Sequence, residues 1–209
     1  MFLMDLISFV KTELAFDHSG HDFAHAERVY QNALSIQKEE GGNLKIISAA
    51  ALLHDTVDSK LFPNPLPQQE KIRALLNENS YSDGEMQEIF KIITTMSWHL
   101  KDHLQEEPSL EQKIVTDADR LEALGAIGII RCIEYGTTRN RPFYERKNLK
   151  KDEEGHWSFG EESETDLSHF YVKLLKLEAS FYTAAGKKEA HRRSEFLRAF
   201  LEEFYSELA

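Results

Sequence analysis

Histidine and aspartate recur in this chain where helical patterns begin or end. His21, His25 and Arg28 fall at i, i+4 and i+7, so they share one stripe of a helix. His54-Asp55 closes the apolar run Ala49-Ala-Ala-Leu-Leu53. Asp58 stands four residues beyond His54 and three beyond Asp55, facing the same point if the turn continues. Further on, Thr116-Asp-Ala-Asp119-Arg-Leu-Glu122-Ala-Leu124 sets carboxylates inside a strongly apolar sequence. An acid in such a place is costly unless it is paired or bound to metal. Two imidazoles with two carboxylates suit a divalent first-row ion, because neutral imidazoles add no charge and two carboxylates balance the dication. Coordination positions left over would take water and substrate, the arrangement used for metal-assisted hydrolysis.

Other chemistries find no support. The sequence has no Gly-x-x-x-x-Gly-Lys-Ser/Thr loop, Gly-x-Gly-x-x-Gly turn, Gly-x-Ser-x-Gly elbow or His-Glu-x-x-His helix. The Glu-x-x-His spacing from Glu153 to His156 falls in an irregular stretch, so the paired helices of a di-iron bundle are missing too. A single cysteine, Cys132, rules out an intrachain disulfide or a cysteine zinc cluster.

The elements that must carry these residues read as helices. Apolar spacing predicts a helix over 2–16, and Ser19 followed by Asp22 resembles a capping box for a second helix ending at Glu40 before Gly41-Gly42. Asn43 is placed to cap the run Leu44–His54, whose small residues suit close helix contact. Pro63, Pro65 and Pro67 mark a loop over 61–67, and helix returns from about Gln68 to Asn79. Ser82 with Glu85 opens a helix ending near Trp98, and Ser109 with Gln112 opens a long one to Tyr135, where Gly136 follows. Residues 137–165 show no period and read as an irregular insertion, a lid in outline. Two helices close the chain, about 167–185 and 187–208, separated by Gly186, with the stripe Phe196, Phe200, Phe204 expected in the core. The fold class expected is all-α, in one domain spanning 1–209.

The totals fit that picture. In 209 residues, 41% are hydrophobic and 29% charged, a globular composition with material for a large core. The formal charge of −11 argues against general nucleic-acid binding but leaves small phosphorylated substrates open. The apolar N-terminus carries Asp5 and lacks a basic start, so it does not read as a signal peptide. No uncharged apolar stretch is long enough to span a bilayer. A cytoplasmic setting without membrane attachment is the expectation.

The ordered set His25 … His54-Asp55 … Asp119 resembles the HD superfamily of metal-dependent phosphohydrolases. The likeness extends through His21-Asp22-Phe-Ala-His25-Ala-Glu-Arg28-Val29, Ala50-Ala-Leu-Leu-His54-Asp55, Asp117-Ala-Asp119-Arg-Leu-Glu122-Ala-Leu-Gly-Ala-Ile-Gly128 and His169-Phe-Tyr-Val-Lys173-Leu-Leu. These stretches are similar to a subgroup of small bacterial HD hydrolases, some of which cleave nucleoside or deoxynucleoside triphosphates with Mn²⁺. The resemblance implies His25, His54, Asp55 and Asp119 as metal ligands, whereas periodicity alone sets Asp117 on the apolar stripe of Ile114, Leu121 and Leu124. It implies a nucleotide substrate cleaved to monophosphate and pyrophosphate. Monophosphatase or phosphodiesterase action on the same site, or a regulatory protein that binds metal or nucleotide without catalysis, are the alternatives. Between His54-Asp55 and Asp119 stand only His99 and His103, with no adjacent histidine pair, which favours one ion over two. Mn²⁺ is expected first, with Fe²⁺, Ni²⁺, Co²⁺, Zn²⁺ or Mg²⁺ as alternatives. Around that ion, Asp58 is the expected proton carrier, and His21, Asp22, Asp117 and Glu122 (often Asp in the subgroup) are expected to orient the ligands. Arg28, Arg139, Arg141, His169 and Lys173 are the candidate phosphate-binding groups.

Overall fold

The computed structural model describes residues 2–17, 20–59, 61–96, 107–160 and 163–208. Helices dominate, as the apolar spacing predicts, and the chain forms two compact units that divide after Asp119. Among the described residues no helix is long and apolar enough to cross a membrane.

In the first unit, α1 (Phe2–Glu13) and α2 (Phe23–Glu40) precede α3 (Leu44–Leu53). Helix α1 buries Leu6 and Val10, spaced one turn apart. The cap of α2 is Asp22, whose Oδ1 accepts the His25 N–H at 2.9 Å; Ser19 lies outside the described residues. Asn43 caps α3 as expected, its Oδ1 accepting from Lys45 N at 3.0 Å and Ile46 N at 3.4 Å. Every residue of α3 from Ile46 to Leu53 is buried, with α1, α2 and the later helix Asp83–Thr95 packed around it. Ala49, Ala50 and Ala51 add almost no width, which lets those neighbours approach. The helix tightens into a 3₁₀ turn at His54–Val57, so His54-Asp55 sits where the backbone leaves the core helix.

Helices α4 (Leu66–Glu78) and α5 (Asp83–Thr95) follow. The Ser82/Glu85 capping box forms in both directions: Glu85 N–H donates to Ser82 Oγ and Ser82 N–H to Glu85 Oε2. The expected end near Trp98 lies outside the described residues. Helix α6 (Leu110–Leu121) is tied to its neighbours by polar contacts. Asn32 Nδ2 of α2 donates to the Ala118 carbonyl at 3.3 Å, and the Asn43 N–H donates to Glu111 Oε1 at 2.8 Å.

The single long helix expected from Ser109 to Tyr135 is two helices. Helix α6 stops at Leu121, and α7 runs Gly125–Thr138. The break needs a residue in the left-handed region, and Gly125 supplies it at φ +69°. Gly136, expected as a stop, lies inside α7. A Cβ there would collide with the carboxylate of Asp166, so this glycine permits a close approach instead of ending a helix.

The irregular stretch 137–165 holds more structure than the sequence suggested. After Asn140 (φ +53°) comes a 3₁₀ turn at Arg146–Asn148, then a short antiparallel hairpin of β1 (Leu149–Lys151) and β2 (Trp157–Phe159). Its register pairs Leu149 with Phe159 and Lys151 with Trp157. Three-residue strands are too short to show a period of two.

The C-terminal elements also correct the expectation. Helix α8 (Asp166–His169) passes through a π turn at Phe170–Leu174 into α9 (Leu175–Leu177) and a 3₁₀ turn at Glu178–Ser180. The break before α10 (Ala184–Ser206) is at Phe181–Thr183, and Gly186 lies inside α10, donating its N–H to the capping Thr183 Oγ1 at 2.9 Å. Helix α10 buries Ala190, Ser194, Leu197 and Leu201. Phe196 is 50% exposed, so the expected Phe196–Phe200–Phe204 stripe is one position off the core face. Phe200 and Phe204 instead form an aromatic cluster with Phe143.

Candidate metal centre

Three segments of the first unit bring histidine and aspartate together. Helix α2 contributes His25 from its first turn, the 3₁₀ turn contributes His54 and Asp55, and α6 contributes Asp119 near its end. His25 Nε2 and His54 Nε2 are 3.2 Å apart. Asp55 Oδ2 lies 3.4 Å from the first and 3.2 Å from the second. Asp119 Oδ1 stands 3.4 Å from His25 Nε2 and 3.8 Å from His54 Nε2. The side chains of His25, His54 and Asp55 are almost wholly buried, whereas that of Asp119 is 38% exposed. The cluster therefore reaches solvent on the Asp119 side.

The hydrogen-bond pattern aims the imidazoles. His54 Nδ1–H donates to the Ala51 carbonyl at 2.9 Å, the contact made available when the helix tightens, and this leaves Nε2 facing the cluster. His21, one turn before His25, donates Nδ1–H to Asp55 Oδ2 at 2.9 Å, and its own N–H is held by Asp17 at 2.7 Å. The cluster residue that His21 contacts is therefore Asp55. Asp22 acts as the cap of α2 and so fixes the backbone at His25.

Two imidazole nitrogens facing each other at 3.2 Å need a shared proton or a cation between them. In the ion-free cluster a proton fills that role. Burial alone lowers the His54 imidazole, but the Asp55 charge and hydrogen bond, helped by Asp119, hold it at about 9. Against its own burial Asp55 is held well below the usual carboxylate range by His54, His21 and His25. Burial likewise opposes the charged form of Asp119, yet the His25 hydrogen bond and the imidazole charges bring it down to about 2. A divalent cation satisfies the same demand more completely. Donor atoms of His25, His54 and Asp119 all lie within 4.8 Å of one another, as do those of His21, His25 and Asp55. The donor set therefore fits a first-row dication of the kind that imidazole and carboxylate share.

The remaining sequence candidates divide. Asp117 is fully buried, and within the α6 turn it points away from Asp119. Asp58 ends the 3₁₀ turn in extended backbone (ψ 127°), so helical offset does not aim its side chain; its carbonyl accepts from Leu61 and Phe62. Arg28 lies half-buried on α2, one turn past His25. Glu122 belongs to the second unit, where its buried carboxylate stands 3.8 Å from Arg131 and 4.0 Å from Arg193. In that unit Arg139, Arg141 and His169 line one pocket. Lys173 adds its positive field to that of Arg141 at His169. Sequence reasoning missed two groups there: Asp166, which grips Arg141 at 2.6 Å, and Ser168, three residues beyond the capping Thr165. The Thr165-x-x-Ser168 spacing was the available signal. His99 and His103 lie outside the described residues.

Comparison with known proteins is consistent across sequence and structure. The HD domain family matches residues 22–124, a span containing His25, His54, Asp55 and Asp119. The protein YpgQ of Bacillus subtilis is 30% identical over 202 residues, covering 96% of this chain and 91% of its own length. A solved HD-superfamily hydrolase from Bacillus thuringiensis is 36% identical, with a TM-score of 0.76 over 99% of this chain and 96% of its own. The structure of B. subtilis YpgQ in complex with ADP superposes with a TM-score of 0.77 at 26% identity, covering 98% of this chain and 97% of the other.

Proposed function

Since this chain belongs to the HD domain family, we propose that it is a metal-dependent phosphohydrolase acting on nucleotides, with one divalent ion held by His25, His54, Asp55 and Asp119. The observation that carries the reading is the meeting of two buried imidazole Nε2 atoms, 3.2 Å apart, with two carboxylates of which only Asp119 is substantially exposed. A cluster closed on three sides and open on one suits a site that admits substrate better than one that only braces the fold.

When bound, the ion supplies a Lewis acid for a phosphoryl oxygen and lowers the pKa of a water molecule. Mn²⁺ is the first choice. The protein's own part is positional. Ala51 O holds the His54 Nδ1–H, and His21 holds Asp55, so both donor atoms are fixed before substrate arrives. Asp22 holds the α2 backbone at His25 in the same way. Asp58, at the exit of the turn, is the proposed carrier of the water's proton, on its place close after Asp55 in the chain and not on helical offset. A nucleotide is favoured because the B. subtilis relative was solved with ADP. Among nucleotides, cleavage of a triphosphate to monophosphate and pyrophosphate is the leading reaction.

The test is product analysis on ribo- and deoxyribonucleoside tri-, di- and monophosphates with Mn²⁺, Mg²⁺, Co²⁺, Ni²⁺ and Zn²⁺. Pyrophosphate released from triphosphates supports the reading. Orthophosphate from monophosphates would assign a monophosphatase, and inactivity on every phosphate substrate would assign a regulatory binding protein.

A further inference from the structure

The second unit contains a pocket of about 630 Å³ whose lining includes none of His25, His54, Asp55 and Asp119. Arg139, Arg141, Ser163, Thr165, Ser168 and His169 line it. Its walls are set by the turn after α7 and by the contacts that Asp166 and Leu167 make across to it. Helix α7 ends at Thr138, and Asn140 in the left-handed region turns the chain so that Arg139 and Arg141 both donate backbone N–H groups to Gly136 O. Gly136 has no Cβ, which lets Asp166 come up against α7 and receive Arg141 Nε at 2.6 Å. Asp166 and Leu167 N–H groups in turn donate to the carbonyls of Pro142 and Phe143. The arginine-bearing turn and the start of α8 are thereby locked together.

Within this frame the donors outnumber their acceptors. Asp166 engages Arg141 through Nε, while Arg141 Nη2 is buried and has no hydrogen-bond partner among the described residues. A buried guanidinium N–H without an acceptor is a costly thing to maintain. Ser168 Oγ already accepts the Ser163 N–H at 3.1 Å, so its own hydrogen is available to donate. The Ser163 and Thr165 hydroxyls pair with each other at 3.0 Å. Arg139 is exposed beside the same opening, its guanidinium 5.3 Å from the Tyr135 ring that Arg141 also approaches at 5.7 Å. Burial, with Lys173 and Arg141, pushes His169 down to about 4, which leaves a neutral ring able to donate or accept at neutral pH. Two carboxylates also line the pocket. Glu145 is already met by Lys147 and Asn148, each at 3.2 Å, and Glu164 is exposed.

We propose that this pocket binds a polyphosphate anion, with Arg141 Nη2, Arg139 and the Ser168 hydroxyl as its principal donors. An oxyanion with several acceptor oxygens answers donors arriving from different walls, as a carboxylate or a neutral sugar does not, and guanidinium forks suit phosphate oxygens. The volume exceeds that of a single phosphate and accommodates a chain of them. The inference goes beyond the hydrolase reading and rests on none of the metal-centre residues.

The probe is inorganic pyrophosphate, titrated calorimetrically into the full chain with metal and again after chelation. Saturable one-to-one binding that survives chelation is expected. Arg139→Ala, at an exposed position, should weaken it roughly 10- to 100-fold, the effect of a lost charge-assisted hydrogen bond. Arg141→Lys keeps the charge beside Asp166 but removes Nη2, and should weaken it similarly; if that variant does not fold, His169→Gln joins Arg139→Ala. Binding that vanishes on chelation, or that Arg139→Ala leaves unchanged, overturns the proposal. The source of the anion is separated by kinetics: a raised KM for a nucleoside triphosphate in Arg139→Ala, with kcat held, means the substrate's own phosphates enter this pocket. Weakened pyrophosphate binding with unchanged KM assigns it to a free anion. Because the calorimetry is done with and without metal, an inactive but pyrophosphate-binding chain would contradict only the hydrolase reading.

Discussion

Asp117 and Asp119 offer a sharp comparison, because they lie two residues apart in α6 and point about 200° from each other. Asp119 Oδ1 is 3.4 Å from His25 Nε2 and 3.8 Å from His54 Nε2, and its side chain is 38% exposed. Asp117 is fully buried. Replacing each by Ala should therefore have opposite consequences. Asp119→Ala removes a carboxylate from the cluster and part of the charge that balances a dication. Loss of a group that merely orients a metal ligand costs about 10- to 100-fold in affinity, so loss of a ligand should exceed that. Because Asp119 is partly exposed, its fold should change little. Asp117→Ala leaves the cluster intact but empties a buried polar position, at a cost of about 1–3 kcal/mol. For a chain of this length that is a fall in melting temperature of roughly 2–12 °C. Metal content of the purified variants, measured by elemental analysis beside calorimetric melting, separates the two. A metal-free Asp117→Ala together with a loaded Asp119→Ala would refute the assignment.

Three further outcomes follow from the structure. In the ion-free chain His54 is held at about 9, above its value of about 6.5 when unfolded, so its stabilising charge is complete below that lower value and lost as pH rises through about 9. Melting temperature should fall across that interval with chelator present and much less with saturating Mn²⁺, which requires the unprotonated nitrogen; parallel curves would count against the charge balance described. Gly136→Ala should destabilise by about 1–3 kcal/mol, because its Cβ meets the Asp166 carboxylate, and an unchanged denaturant midpoint would refute that packing. In α10, Leu197→Ala should cost about 2–5 kcal/mol while Phe196→Ser stays within about 0.5 kcal/mol, an order that reverses if the aromatic stripe is the buried face.

Several of the helices around the candidate site were legible in the sequence because capping chemistry at their boundaries is local. Asn43 capping α3 and the Ser82/Glu85 box are interactions within three residues, so spacing alone finds them. The choice of Asp119 over Asp117 was not legible that way. Apolar periodicity reports burial, and the buried aspartate is indeed Asp117, but the residue that meets the imidazoles is the half-exposed one. Glycine misled for a related reason. Gly125, Gly136 and Gly186 look alike as punctuation, yet the first makes a left-handed turn, the second admits a carboxylate, and the third lies in the first turn of a helix. Which of these applies depends on contacts distant in sequence. The gathering of Arg139, Arg141 and Ser168 at one pocket has the same character, since it depends on Asp166 reaching across to Arg141.

Activity measured as metal is restored tests phosphohydrolysis at the cluster most directly. The chelated chain, given a nucleoside triphosphate and Mn²⁺ in increments, should release no pyrophosphate at first. It should then gain activity that saturates near one equivalent of ion, while His54→Ala, folded by circular dichroism, stays inactive throughout. Hydrolysis that persists in chelator, or that His54→Ala performs at the native rate, would contradict phosphohydrolysis at the His25, His54, Asp55 and Asp119 cluster.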